Sequence, residues 1–104
     1  MNGDPRFHAK LQEMGELHAS KSSDYTAGRD PLYNLRASTE FGVAPWIATL
    51  IRLNDKIGRL QSFARKGTLN HESATDSMID IAVYAILASI LYDEESEKVS
   101  PEAS

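Results

Sequence analysis

Asp76 and Asp80 stand one helical turn apart at the head of an otherwise apolar run, Met78-Ile79-Asp80-Ile81-Ala82-Val83-Tyr84-Ala85-Ile86-Leu87. Helical spacing puts both on one face with Glu72 and Tyr84. A carboxylate set among aliphatic side chains is too costly to bury unless a cation, a metal or several donors meet it. The upstream segment Pro45–Lys66 offers cations in matching form: Arg52, Asp55, Lys56 and Arg59 share one helix face at i, i+3, i+4 and i+7. The chain is therefore constrained to bring two helices together along charged faces.

The rest of the sequence divides around those helices. Pro5 to about Lys21 carries Phe7, Leu11, Met14 and Leu17 at helical steps, with Pro5 suited to a first turn where a missing amide costs little. Ser22 to Ala44 is rich in Ser, Asp, Gly and Pro and reads as a long connector, with a short helix over Leu35–Phe41. Its Tyr25, Leu32, Tyr33, Leu35 and Phe41 are too apolar for disorder, so the loop is expected to be ordered and functional. The third helix begins at Pro45 and stops before Gly67, with Arg65 and Lys66 in the last turn where the helix dipole favours cations. The fourth begins near Asn70–Ser73 and runs to about Tyr92. The acidic, Pro101-containing segment 93–104 is expected to be a flexible tail. No window alternates like a strand, and no internal repeat is visible. The short joining segment Gly67–His71 makes the two long helices antiparallel neighbours.

At 104 residues this is one domain, 1–92 plus the tail, small enough that a second copy would help bury its core. The net charge of −4 is uneven: Asp93, Glu94, Glu95, Glu97 and Glu102 against Lys98 account for it, which leaves ten basic and ten acidic residues in 1–92. A neutral folded part offers no broad footprint for duplex nucleic acid. With no cysteine and no apolar leader at Met1–Arg6, the expectation is a cytoplasmic protein. The longest apolar stretch, Ile81–Leu91, is about half the ~20 residues of a spanning helix and reads as a core helix, with no membrane partner expected.

Two chemistries fit the facing helices. Asp55, Glu72, Asp76 and Asp80 supply hard oxygen ligands suited to Mg²⁺, which takes a few carboxylates together with substrate phosphates and waters. Arg52, Lys56 and Arg59 suit phosphate oxygens, guanidinium groups being able to bind them in bidentate fashion. Against both stands a plain structural reading, in which interleaved acids and bases form an internal ion-pair network that fixes helix register. His8, His18 and His71 are scattered and read as ordinary surface positions; Tyr84 and Met78 read as core.

The wording of the chain also resembles a family. His18-x-x-Lys21-x-x-Asp24-Tyr25, Asp30-Pro31-Leu32-x-Asn34, Phe41-Gly42-Val43-x-Pro45, Arg52-x-x-Asp55-Lys56-x-x-Arg59-Leu60 and Glu72-Ser73-x-x-Asp76-x-x-x-Asp80-x-x-x-Tyr84 together resemble the phage and bacterial nucleotide modification associated domains, over roughly residues 13–92. The resemblance implies nucleotide handling, with His18, Lys21, Asp24, Tyr25 and Asn34 joining Arg52, Lys56 and Arg59 around the ligand. A more distant similarity is to the all-α, MazG-like nucleoside triphosphate pyrophosphohydrolases, whose helical bundles bind Mg²⁺ through two acidic sets. Glu72, Asp76 and Asp80 look like the second set at altered spacing. The helix that should carry the first set instead has one acid among three cations, and the literal E-x-x-E of Glu13 and Glu16 lies on the first helix.

These readings converge on an all-α, MazG-like helical bundle, a homo-oligomer, that binds a linear or cyclic phosphorylated nucleotide between the two long helices and the Lys21–Asn34 loop. Sequestration without turnover is the leading expectation. A Mg²⁺-dependent pyrophosphohydrolase, a hydrolase with Asp55, Glu72, Asp76 and Asp80 as metal ligands, is the first alternative. An interaction module with internal ion pairs is the second.

Overall fold

The computed structural model describes residues 2–26, 30–69 and 73–99, and among them every regular element is helical. The order is α1 (Pro5–Thr26), α2 (Tyr33–Arg36), a 3₁₀ turn (Ala37–Phe41), α3 (Pro45–Lys66) and α4 (Ala74–Val99). The chain forms two compact units, Met1–Asn34 and Leu35–Ser104.

In the first unit, Asp4 caps α1. Its carboxylate accepts the Arg6 backbone N–H at 2.8 Å, and its carbonyl accepts the Phe7 N–H at 3.0 Å. The Arg6 guanidinium returns to the same carboxylate at 2.7 and 3.1 Å, which holds the Asp4 carboxyl below its ordinary range and raises Arg6. The helix runs to Thr26, five residues past the expected end at Lys21. Ser22, Ser23 and Asp24 are mediocre helix formers but not breakers, and no glycine or proline follows Lys21 until Gly28. Of the apolar stripe, Met14 is buried while Phe7, Leu11 and Leu17 are exposed. Asp30 then builds a turn, its carboxylate accepting the Leu32 N–H at 3.1 Å and its carbonyl the Tyr33 N–H at 3.0 Å.

The expected long loop is thus mostly helical where it is described. α2 and the 3₁₀ turn cover Tyr33–Phe41, two residues earlier than the Leu35 start read from the sequence. Gly42, at φ 76°, ends the turn, and the Ser38 hydroxyl lies within donating reach of both the Leu35 and Val43 carbonyls, at 3.2 and 2.9 Å.

α3 starts and stops where expected. Pro45 occupies its first turn, and Gly67 at φ 79° returns its N–H to the Phe63 carbonyl at 2.7 Å. Ser73 caps α4, its hydroxyl accepting the Asp76 N–H at 3.0 Å. α3 and α4 pack together, with Thr49 and Ser77 wholly buried and Ala88 and Leu91 nearly so. The Thr49 hydroxyl is satisfied by the Pro45 carbonyl at 2.8 Å.

The acidic segment departs from expectation: residues 93–99 continue α4 instead of fraying. Two of its carboxylates have partners, since Glu94 takes both terminal nitrogens of Arg36 and Glu95 accepts the Trp46 indole N–H at 2.6 Å. Trp46 also meets Tyr92 edge-to-face, ring centroids 5.3 Å apart. Independently of this continuation, α4 carries an eighteen-residue stretch long and apolar enough to cross a membrane by length and composition, a test that the core helices of other proteins also pass.

Candidate functional site

The charged faces of α3 and α4 meet where Lys56 Nζ lies 2.9 Å from Asp80 Oδ2. Both side chains are largely covered, at 17% and 27% exposed. Asp80 sits among aliphatic neighbours, and a lysine reaching across from the next helix supplies the cation that its burial demands.

Around this pair Arg52, Asp55, Arg59 and Asp76 are exposed. Arg52 lies one turn before Lys56 on α3, open to solvent and in no ion pair among the described residues. Arg59 lies about one turn after Lys56, is likewise exposed and is engaged in an interaction of its own. Asp55 flanks them, and Asp76 lies one turn before Asp80, its carboxylate in solvent while its N–H serves the Ser73 cap. Glu72 lies outside the described residues. Among the described residues no group of three or more His, Cys, Asp or Glu is placed to hold a metal ion.

Five further residues of the expected site belong to the N-terminal unit. His18 is half-buried and Lys21 exposed on α1; Asp24 and Tyr25 lie in its last two turns; Asn34 is exposed in α2.

A feature the sequence reading missed lies at the other end of the α3–α4 pair. A cleft of about 500 Å³ is bounded by the Thr39–Pro45 segment on one side and by Leu91, Glu94, Glu95 and Lys98 on the other. Arg36 and Glu94 close one wall as a bidentate ion pair. The cleft exists because α4 runs past Tyr92. Its one sequence signal was the cluster of carboxylates in 93–97, read there as a solvated tail.

Comparison with known protein families, curated proteins and solved structures finds no match to this chain.

Proposed function

We propose that this chain binds a phosphorylated nucleotide on the charged edge shared by α3 and α4, gripping phosphate oxygens without turnover. The carrying observation is Arg52: an exposed guanidinium outside any described ion pair, one helical turn from a lysine that Asp80 holds in place. With Arg59 on the same face, three cations line about two turns of α3, a spacing that suits a di- or triphosphate chain. The reading supposes a MazG-like, antiparallel placement of the two helices. That placement is supported by two contacts: Trp46 near the start of α3 meets Tyr92 and Glu95 late in α4, and Lys56 further along α3 meets Asp80 early in α4. The resemblance to nucleotide modification associated domains points the same way, to a cytoplasmic nucleotide-handling protein of phage type.

The enzyme alternative draws on Asp76, whose solvent-facing carboxylate one turn from Asp80 is chemically suited to Mg²⁺ together with Asp55 and Glu72. The Lys56–Asp80 bond favours the interaction-module reading instead, because it spends charge on fixing helix register. Calorimetry with linear and cyclic nucleotides, with Mg²⁺ and with EDTA, separates the three. Binding without product formation supports sequestration, and Mg²⁺-dependent release of pyrophosphate supports the enzyme. No binding at millimolar nucleotide leaves the interaction module.

A further inference from the structure

Asn2 and Gly3 precede the cap of α1, and a histidine from the first turn of that helix reaches back to them. His8 Nε2 lies 3.3 Å from the Asn2 carbonyl oxygen, and the His8 and Phe7 rings meet edge-to-face, centroids 5.7 Å apart. A carbonyl oxygen only accepts, so Nε2 carries the proton in this contact. Gly3 sits at φ 96°, a conformation open to glycine. A Cβ built on it would come within 3.3 Å of Nε2, tight enough to press the ring off the carbonyl.

An Asn-Gly step is the sequence in which an asparagine side chain reacts most readily with its own backbone, because no side chain shields the glycine nitrogen. Both reacting groups are accessible in this chain. Asn2 is exposed, and neither its side-chain amide nor the Gly3 N–H makes a hydrogen bond among the described residues. Asn34 and Asn54, by contrast, sit within α2 and α3 and are followed by Leu35 and Asp55. Asp4 does not compete for His8, since its carboxylate is taken by Arg6.

We infer that Asn2 is a site of spontaneous deamidation assisted by His8. Loss of the Gly3 N–H proton to water or hydroxide leaves a peptide anion whose charge is shared with the Asn2 carbonyl oxygen, the atom that Nε2–H meets. A donor already aimed at an oxygen where negative charge develops lowers the barrier. The Gly3 nitrogen attacks Asn2 Cγ, and the new C–N bond closes a five-membered succinimide while the Cγ–Nδ2 bond breaks and Nδ2 takes up a proton and leaves as ammonia. Water then opens the ring. Entry at Cγ gives an aspartyl residue; entry at the backbone carbonyl carbon gives an isoaspartyl residue, whose main chain runs through Cγ and is one carbon longer. Either product adds one negative charge beside His8 and before the start of α1, the end of a helix that favours an anion. This chemistry is independent of the ligand reading.

The test holds the full chain in neutral buffer at 37 °C, following each asparagine by peptide mass mapping and isoaspartate by enzymatic methylation. His8→Ala and His8→Gln are the variants, with circular dichroism to show that each keeps its helix. The expected result is conversion of Asn2 while Asn34 and Asn54 persist, slowed several-fold in His8→Ala. His8→Gln, whose side-chain amide still donates, should recover most of the rate. In urea, where the helix and the contact are lost, the parent and His8→Ala should react alike. Conversion of Asn2 no faster than of Asn54 would overturn the inference, as would equal rates for the folded parent and His8→Ala. A His8→Gln variant as slow as His8→Ala would overturn the donor role. A difference that persists in urea would also count against it, by placing the effect in the local sequence instead of the fold.

Discussion

Lys56 Nζ bonds Asp80 Oδ2 at 2.9 Å, across from α3 to α4, with less than a third of either side chain in solvent. A pair this covered is worth more than an exposed one, for which the usual contribution is about 0–1 kcal/mol, and less than a fully enclosed one. Removing one partner leaves the other charge half-desolvated with nothing to meet it. Asp80→Asn or Lys56→Met alone is expected to cost about 1–3 kcal/mol in urea unfolding. The joint replacement Lys56→Met with Asp80→Leu should recover most of that. If the double variant is as unstable as the two single losses added together, the pair is not coupled and the contact is incidental.

That a cation from α3 would meet the acids of α4 was legible in the sequence, as were the ends of α3, because each rests on a local rule. An acid in an aliphatic run demands a cation, a proline opens a helix and a glycine closes one. Glu94 and Glu95 were not legible. Composition alone makes the segment 93–97 look like a solvated tail, whereas Arg36, 58 residues earlier, and the Trp46 indole bind it to the helix pair. Nothing local signals partners so distant in the chain. The helical course of Ser22–Thr26 was missed for the opposite reason: weak helix formers were read as breakers although no glycine or proline stood among them. Of the candidate site, the meeting of the two charged faces was readable, but which acid would pair with which base depended on the register of α3 against α4.

The single tryptophan makes the end of α4 measurable. Trp46 is pinned by Glu95 and by the edge of Tyr92, so its emission reports whether residues 92–95 are in place. Truncation after Asp93 should shift Trp46 fluorescence and lower the melting temperature, through loss of the indole hydrogen bond and of the Arg36–Glu94 pair. Glu95→Gln, which keeps an acceptor, should change the emission far less. An unchanged spectrum on truncation would mean that the last turns of α4 do not pack on α3.

At the N-terminus, Arg6 stabilises the ionised form of Asp4, so the folded carboxyl titrates below its ordinary value. A depressed carboxylate contributes stability that is present above the unfolded pKa and fades as pH falls through the folded one. The prediction is local: in ¹³C-detected titration, Asp4 should have a midpoint below 3.8, and Arg6→Ala should return it toward that value. The chain being open to water here, the effect belongs to the first turn of α1 and should leave global unfolding almost unmoved.

Asp76 and Asp80 tell metal site from scaffold because their surroundings differ. Asp76 is exposed and Asp80 is held by Lys56. Asp76→Asn should be nearly neutral for stability, within about 0.5 kcal/mol, since it touches only solvent and its cap survives through the backbone N–H. If the acids serve Mg²⁺, the same substitution should abolish any Mg²⁺-dependent change in nucleotide affinity. A parent protein with no Mg²⁺ response at all would leave both acids to structure.

Arg52 decides whether the cations grip phosphate, since it can be removed without disturbing a described ion pair. A charge-assisted hydrogen bond to phosphate is worth about 1.5–3 kcal/mol, so Arg52→Ala should weaken nucleotide affinity about ten- to a hundredfold while leaving the melting temperature of the free protein unchanged. Arg52→Lys keeps the charge but loses the bidentate fork and should fall between the two. Because three basic side chains face one acid on α3, much of the affinity should persist in EDTA, in contrast to a site that reaches phosphate mainly through metal. Affinity that vanishes with EDTA and ignores Arg52→Ala would move the phosphate away from this edge and onto the acids, restoring the hydrolase reading.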